Sequence, residues 1–153
     1  MESKYKAEVL DPFKELIGNG KEGICVTTNG IVMQNGKAVM GAGIAKFVRD
    51  SFPDVDSKLG DFISKYGNRV FNLGTHEFEG KQFRLISFPT KNDWKDKSDL
   101  NLIEKSANEL VSISDKFDLD KIYLPEVQKK TGMIFQEFNL VKKIIYNIAE
   151  TCH

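Results

Sequence analysis

Histidine and cysteine are nearly absent from this chain. The histidines are His76 and His153, and the cysteines are Cys25 and Cys152. No Cys/His spacing resembles a zinc site. That argues against metal-assisted chemistry through imidazole, and no cofactor is expected. Cys25 lies in an apolar run and Cys152 is penultimate, so the two do not form a disulfide framework and fit a reducing compartment. Long apolar runs are also missing: none approaches the ~20 residues of a membrane-spanning helix. The polar start Met1-Glu2-Ser3-Lys4-Tyr5-Lys6 leads into no apolar segment of a secretory signal. The expectation is a cytoplasmic protein without a membrane partner. An excess of charge is missing too, since Lys plus Arg and Asp plus Glu number 22 each. Net neutrality removes any global electrostatic argument for a nucleic-acid or membrane surface, although a local basic patch would not show in composition. Repeats and low-complexity segments are absent as well.

What is present is an ordinary globular balance, 41% hydrophobic and 29% charged over 153 residues. That length suits one domain spanning residues 1–153, with a core that needs no staples. Apolar runs alternate with helical periodicity, which predicts an α/β fold. Ala7–Leu10 reads as a short first strand. Gly23–Thr28 is β-branched and reads as a buried strand running into Asn29-Gly30. Met33–Met40 holds a second turn signal, Asn35-Gly36, and predicts a hairpin-like excursion. Gly41-Ala42-Gly43 opens a helix whose apolar face is Ile44, Phe47 and Val48; Phe52-Pro53 ends it. Leu59, Phe62, Ile63 and Tyr66 mark the next helix, stopped by Gly67-Asn68. Arg69–Gly74 and Gln82–Phe88 read as strands around Glu79-Gly80. Ser98 is the expected N-cap of a long helix, Lys121–Leu124 a buried strand, and Leu140, Val141, Ile144, Ile145 and Ile148 the stripe of a last helix. A central mixed sheet with helices on both faces accommodates this order.

Three segments at strand ends could carry chemistry. Asn29 ends one strand, and Val39-Met40-Gly41-Ala42-Gly43-Ile44-Ala45 enters a helix. Glycines ahead of a helix let backbone N–H groups approach a phosphate, and the helix amino end favours an anion. The same glycines could simply shape a turn. Neither a Walker A loop nor a full dinucleotide fingerprint is present, because no Gly-Lys-Ser/Thr follows and Lys46 replaces the third glycine. In Phe88-Pro89-Thr90-Lys91-Asn92-Asp93-Trp94-Lys95, Lys91 is a nucleophile or phosphate partner on one reading and a solvated lysine on the other. Trp94, the only tryptophan, is expected in the core rather than as a stacking platform. Leu124-Pro125-Glu126-Val127-Gln128-Lys129-Lys130-Thr131-Gly132-Met133 again follows a strand. Its Lys-Thr-Gly string has no Ser-x-x-Lys to make a β-lactamase signature.

Together these segments resemble macro domains. Thr28-Asn29-Gly30 and Asn35-Gly36-Lys37-Ala38-Val39-Met40-Gly41-Ala42-Gly43-Ile44-Ala45-Lys46 are similar to the family's first ligand loop. Phe52-Pro53, Gly67-Asn68-Arg69-Val70, Phe88-Pro89-Thr90-Lys91 through Trp94, and Ser98-Asp99-Leu100-Asn101-Leu102-Ile103-Glu104 extend the match. It covers residues from about Gly23 to Leu124 and is nearest to bacterial and phage macro domains, akin to the terminal ADP-ribose glycohydrolase and to antitoxins that strip ADP-ribose from DNA. The resemblance implies a three-layer α/β/α fold and a ligand that is ADP-ribose or a related nucleotide. It implies that Asn29 bonds the distal ribose and that Gly41, Ala42, Gly43 and Ile44 wrap the diphosphate with backbone amides. It implies that Lys91 attacks the anomeric carbon of the distal ribose, and that Glu8, or else Asp11, binds adenine.

This sequence departs from the family in its second phosphate loop. After Leu124-Pro125 the family usually has Gly-Cys-Gly, whereas here Glu126, Val127, Gln128, Lys129 and Lys130 follow. Thr131-Gly132, with Met133, keeps part of the pattern and is expected to touch ligand. Side chains stand where bare backbone would meet phosphate, and Lys129 and Lys130 could supply point charges instead. The acid that partners the lysine in the terminal glycohydrolase is absent near Gly132, as it is in the DNA-directed antitoxins. Three expectations follow. The chain is a hydrolase removing ADP-ribose from protein or nucleic acid, or a phosphatase of ADP-ribose 1''-phosphate. Alternatively it is a module that binds or sequesters a nucleotide without turnover, or a protein that kept the fold and lost the pocket.

Overall fold

The computed structural model describes the backbone of residues 4–8, 11–125 and 144–148 and the side chains of residues 11–124. The elements run β1 (Lys4–Glu8), α1 (Pro12–Glu15), β2 (Glu22–Thr28), α2 (Gly43–Ser51), α3 (Val55–Tyr66), β3 (Phe71–Phe78), β4 (Lys81–Pro89), α4 (Leu100–Lys116), β5 (Lys121–Pro125) and β6 (Ile144–Ile148). The strands form one sheet in the order β1-β6-β5-β2-β4-β3. Every neighbouring pair is parallel except β3 with β4. The carboxyl ends of β2, β4 and β5 therefore share one rim.

Period-two alternation sorts the strand residues into two apolar layers. Ile24 and Val26 of β2, Phe83 and Leu85 of β4, and Tyr123 of β5 pack with Phe13, Ile44, Val48, Leu59 and Ile63 from α1, α2 and α3. Cys25, Ile86, Phe88, Ile122 and Leu124 point the other way and meet Ile103, Ala107 and Leu110 of α4. Helices thus cover both faces, as the sequence predicts. Burial pushes the Cys25 thiol up, away from its reactive form.

Several boundaries differ from expectation. The first strand is Lys4–Glu8 rather than Ala7–Leu10. Ile144–Ile148 is not helical but a strand between β1 and β5. Its run Ile-Ile-Tyr-Asn-Ile is rich in β-branched and aromatic residues, and a strand with two parallel neighbours reads as continuously apolar, which imitates a helical stripe over so short a span. Leu140 and Val141 lie outside the described residues. The short α1, capped by Asp11 through the Phe13 N–H, had no periodicity to announce it. The β3–β4 connection is the expected Glu79-Gly80 turn, both residues having positive φ.

The cap of α4 is Asp99, one residue beyond the expected Ser98. Its Oδ1 accepts from the N–H groups of Asn101 and Leu102 at 2.9 and 3.2 Å. A carboxylate at a helix amino end also meets the helix dipole, an advantage that a neutral serine lacks. The Asp99 N–H donates to the Thr90 carbonyl at 2.8 Å, so the cap also anchors the rim. Asp99→Ala is expected to lower stability by about 1 kcal/mol in chemical denaturation, with Asp99→Asn recovering most of it.

Candidate ligand-binding site

At the end of β2 the Asn29 side chain joins two pieces of backbone. Its Oδ1 accepts from the Ile31 N–H at 3.0 Å, and its Nδ2 donates to the Val39 carbonyl at 3.2 Å. Between them the chain makes the expected excursion. Val32 and Ala38 form an isolated antiparallel bridge, the Met33 N–H donates to the Lys37 carbonyl at 2.8 Å, and Gly36 turns with φ 84°. The Ala38 N–H donates to the Asp56 carbonyl at 2.9 Å, which docks the excursion on α3.

The chain returns through Met40 to Gly41, Ala42 and Gly43. Gly43 has φ 57°, the left-handed region that disfavours side chains. The N-cap of α2 is Ala42, which offers no side-chain acceptor. Among the described residues, the first N–H groups of α2 therefore lack a side-chain cap, and they are oriented to receive an anion.

The opposite wall follows β4. Thr28 and Pro89 stand side by side in register, and the Thr90 N–H donates to the Thr28 carbonyl at 3.1 Å. Lys91 comes next and is half-buried. Between the walls lies a cavity of about 670 Å³, within the ~300–1,000 Å³ span of small-molecule sites. It brings together Asn29, Gly41, Ala42, Gly43 and Lys91, five residues singled out from sequence. Among the described residues, Lys91 is the one charged residue on its lining, and no described carboxylate pairs with it. The described lining is thus electropositive and suits an anionic ligand.

Other expected site residues fall elsewhere. Ile44 is fully buried and packs into the core beneath α2, so its side chain does not line the cavity. Glu8 ends β1, with only its backbone described. Asp11 caps α1. Thr131, Gly132 and Met133 lie outside the described residues.

Sequence reading missed Thr27, Thr28, Thr90, Trp94 and Ser98, all on the lining. Trp94 is not in the core but 55% exposed. It sits in a tight turn closed by Asp93, whose carboxylate takes the Lys95 N–H and whose carbonyl takes the Asp96 N–H. That turn carries the indole away from both apolar layers. Thr28 and Thr90 gave a usable signal, since they adjoin Asn29 and Lys91 at the ends of parallel strands.

No protein-family model matches the sequence, and neither does any curated protein. Solved structures do match the fold. The macrodomain of Thermus aquaticus DarG superposes with a TM-score of 0.69 at 18% identity, over 97% of this chain and 99% of that one. The macrodomain of Mycobacterium tuberculosis DarG gives 0.68 at 21% identity, over 95% and 98%. The chain has the macrodomain fold. Thermosipho africanus DarTG in complex with ADP-ribose matches at a TM-score of 0.70 and 19% identity, over 97% of this chain and 43% of that longer one. Among the described residues, no helix of this chain is long and apolar enough to cross a membrane.

Proposed function

We propose that this chain binds ADP-ribose, or a closely related nucleotide, in the cavity between the Gly41–Gly43 loop and Lys91, and removes ADP-ribose from a modified protein or nucleic acid. The observation that carries the reading is the uncapped amino end of α2 opening onto an electropositive cavity. A diphosphate satisfies both the free N–H groups and the field. The similarity in fold to a protein solved with ADP-ribose supports the choice of nucleotide.

In this reading the distal ribose lies by Asn29 and Lys91. The Asn29 amide keeps one N–H uncommitted to the described residues, available to a hydroxyl. A deprotonated Lys91 Nζ forms a bond to the anomeric carbon as the bond from that carbon to the macromolecule breaks. The departing atom takes the electron pair and the proton that the alkylated Nζ gives up; water then releases the sugar, its hydroxyl going to the anomeric carbon and its proton to Nζ. The seven residues from Glu126 to Gly132 hold one glycine in place of the family's several, which favours a second reading in which the nucleotide is held without turnover.

Calorimetry with ADP-ribose is expected to show micromolar binding, about 8 kcal/mol. With an ADP-ribosylated substrate, Lys91→Ala is expected to lose at least ~10³-fold in turnover while ADP-ribose still binds. Equal turnover in the variant would remove Lys91 as nucleophile. Ligand recovered intact from tightly binding wild type would select the second reading.

A further inference from the structure

We infer that Asn68 is the positioning residue for Lys91, holding its peptide through a side-chain clamp between the end of α3 and the end of β4; this rests on the reading of Lys91 as the attacking group. α3 stops at Gly67, whose φ of 86° turns the chain sharply. The turn delivers Asn68 to the loop after β4. There Asn68 Nδ2 donates to the Lys91 carbonyl at 2.9 Å and to Asn92 Oδ1 at 3.1 Å, so both amide hydrogens are spent on the lysine's own loop. From the other side, the Gly30 N–H donates to the Asn92 carbonyl at 2.9 Å. Gly30 and Asn68 are themselves packed together: a methyl at Gly30 would stand 3.0 Å from Asn68 Cγ and 3.1 Å from its Nδ2. Thr90 is already held by Thr28 and Asp99. The backbone on both sides of Lys91 is thus fixed to β2 and α4, and Asn68 holds the remaining carbonyl, that of Lys91 itself.

A four-carbon side chain has many rotamers, and its amine reaches one point reliably only if its Cα is fixed. A polar side chain that does not itself line the cavity but bonds the nucleophile's peptide has this effect. The Gly41–Gly43 loop makes no bond to Asn68, so diphosphate binding stands apart from the clamp.

The test uses Asn68→Asp, which keeps shape and removes both donors, alongside Asn68→Ala and Gly30→Ala, which displaces Asn68 from behind. Turnover of an ADP-ribosylated substrate is expected to fall about 10–100-fold, while the Kd for ADP-ribose stays within about threefold of wild type, since the Gly41–Gly43 loop is untouched. Amide hydrogen exchange at Gly30 and Thr90 is expected to speed up ~10-fold, with exchange in β2 and α4 unchanged. Wild-type exchange and turnover in Asn68→Asp would overturn the inference, and so would an equal loss of turnover and ADP-ribose affinity. Lys91→Ala in the same assay separates the two ideas. If that variant turns over like wild type, or wild type does not turn over at all, the reading of Lys91 fails and takes the positioning role with it, whatever the exchange shows.

Discussion

Gly60→Ala is expected to destabilise this protein by about 2 kcal/mol, although the same change in an exposed helix stabilises by about 1 kcal/mol. Gly60 lies inside α3 and is buried. A methyl there would overlap the Gly36 carbonyl oxygen and stand 3.0 Å from both the Gly36 carbonyl carbon and the Ala38 nitrogen. All three obstacles are backbone, and none can rotate aside as a side-chain tip would. The Gly36 turn is tied down by the Met33–Lys37 and Gly36–Met33 bonds and by Ala38 to Asp56 on α3 itself. To make room, the whole excursion must lift from α3. The strain of such overpacking, ~1–3 kcal/mol or more, outweighs the helix-propensity gain. Lifting the excursion also pulls Val39 away from Asn29, so the Gly41–Gly43 loop loses its seat. Urea denaturation should therefore show a lower midpoint at unchanged slope, with weakened ADP-ribose binding. A midpoint raised by the ordinary glycine-to-alanine gain would mean that α3 and the Gly36 turn are not in contact.

Gly60 also marks where sequence reading ended. Elements whose periodicity was strong were legible: the buried β2 run, the stripes of α2 and α3, and the Glu79-Gly80 turn. Asn29, Gly41 to Gly43 and Lys91 were legible as candidates because each stands at a strand end or helix start, where backbone groups face solvent or ligand. Gly60 gave no signal, since its reason is a carbonyl of another loop. Ser98 and Asp99 are both good caps by residue type, and Asp99 is the one whose N–H also reaches the Thr90 carbonyl of the rim. Trp94 was misjudged because burial statistics by residue type ignore a local turn that aims the ring outward. Asn68 was visible as part of a helix-stop pair, but its bonds to Lys91 and Asn92 cross 23 and 24 positions and belong to the tertiary fold.

Gly41→Glu is expected to separate folding from binding, because the two respond with opposite sign. Among the described residues, a Cβ at Gly41 meets no atom within 4 Å, and Gly41 is not among the positive-φ glycines. The fold therefore has room for a side chain that the cavity does not. The added carboxylate stands one residue ahead of the α2 N-cap, where Ala42 supplies no acceptor. Negative charge near a helix amino end contributes about 0.3–1 kcal/mol, so the thermal midpoint should hold or rise slightly. The diphosphate then faces a like charge instead of free N–H groups. Two unit charges 4 Å apart repel by about 4 kcal/mol at an effective dielectric near 20, close to a 10³-fold loss of affinity. Calorimetry on Gly41→Glu should thus find ADP-ribose binding reduced by about that factor in a protein at least as stable as wild type. Gly41→Gln is the control: it fills the same space without charge and should lose less, the difference being the electrostatic share. Undiminished binding in Gly41→Glu would place the diphosphate away from α2. A midpoint several degrees lower would mean that this glycine is packed in the fold, and the loop's shape would then answer to folding instead of to a phosphate.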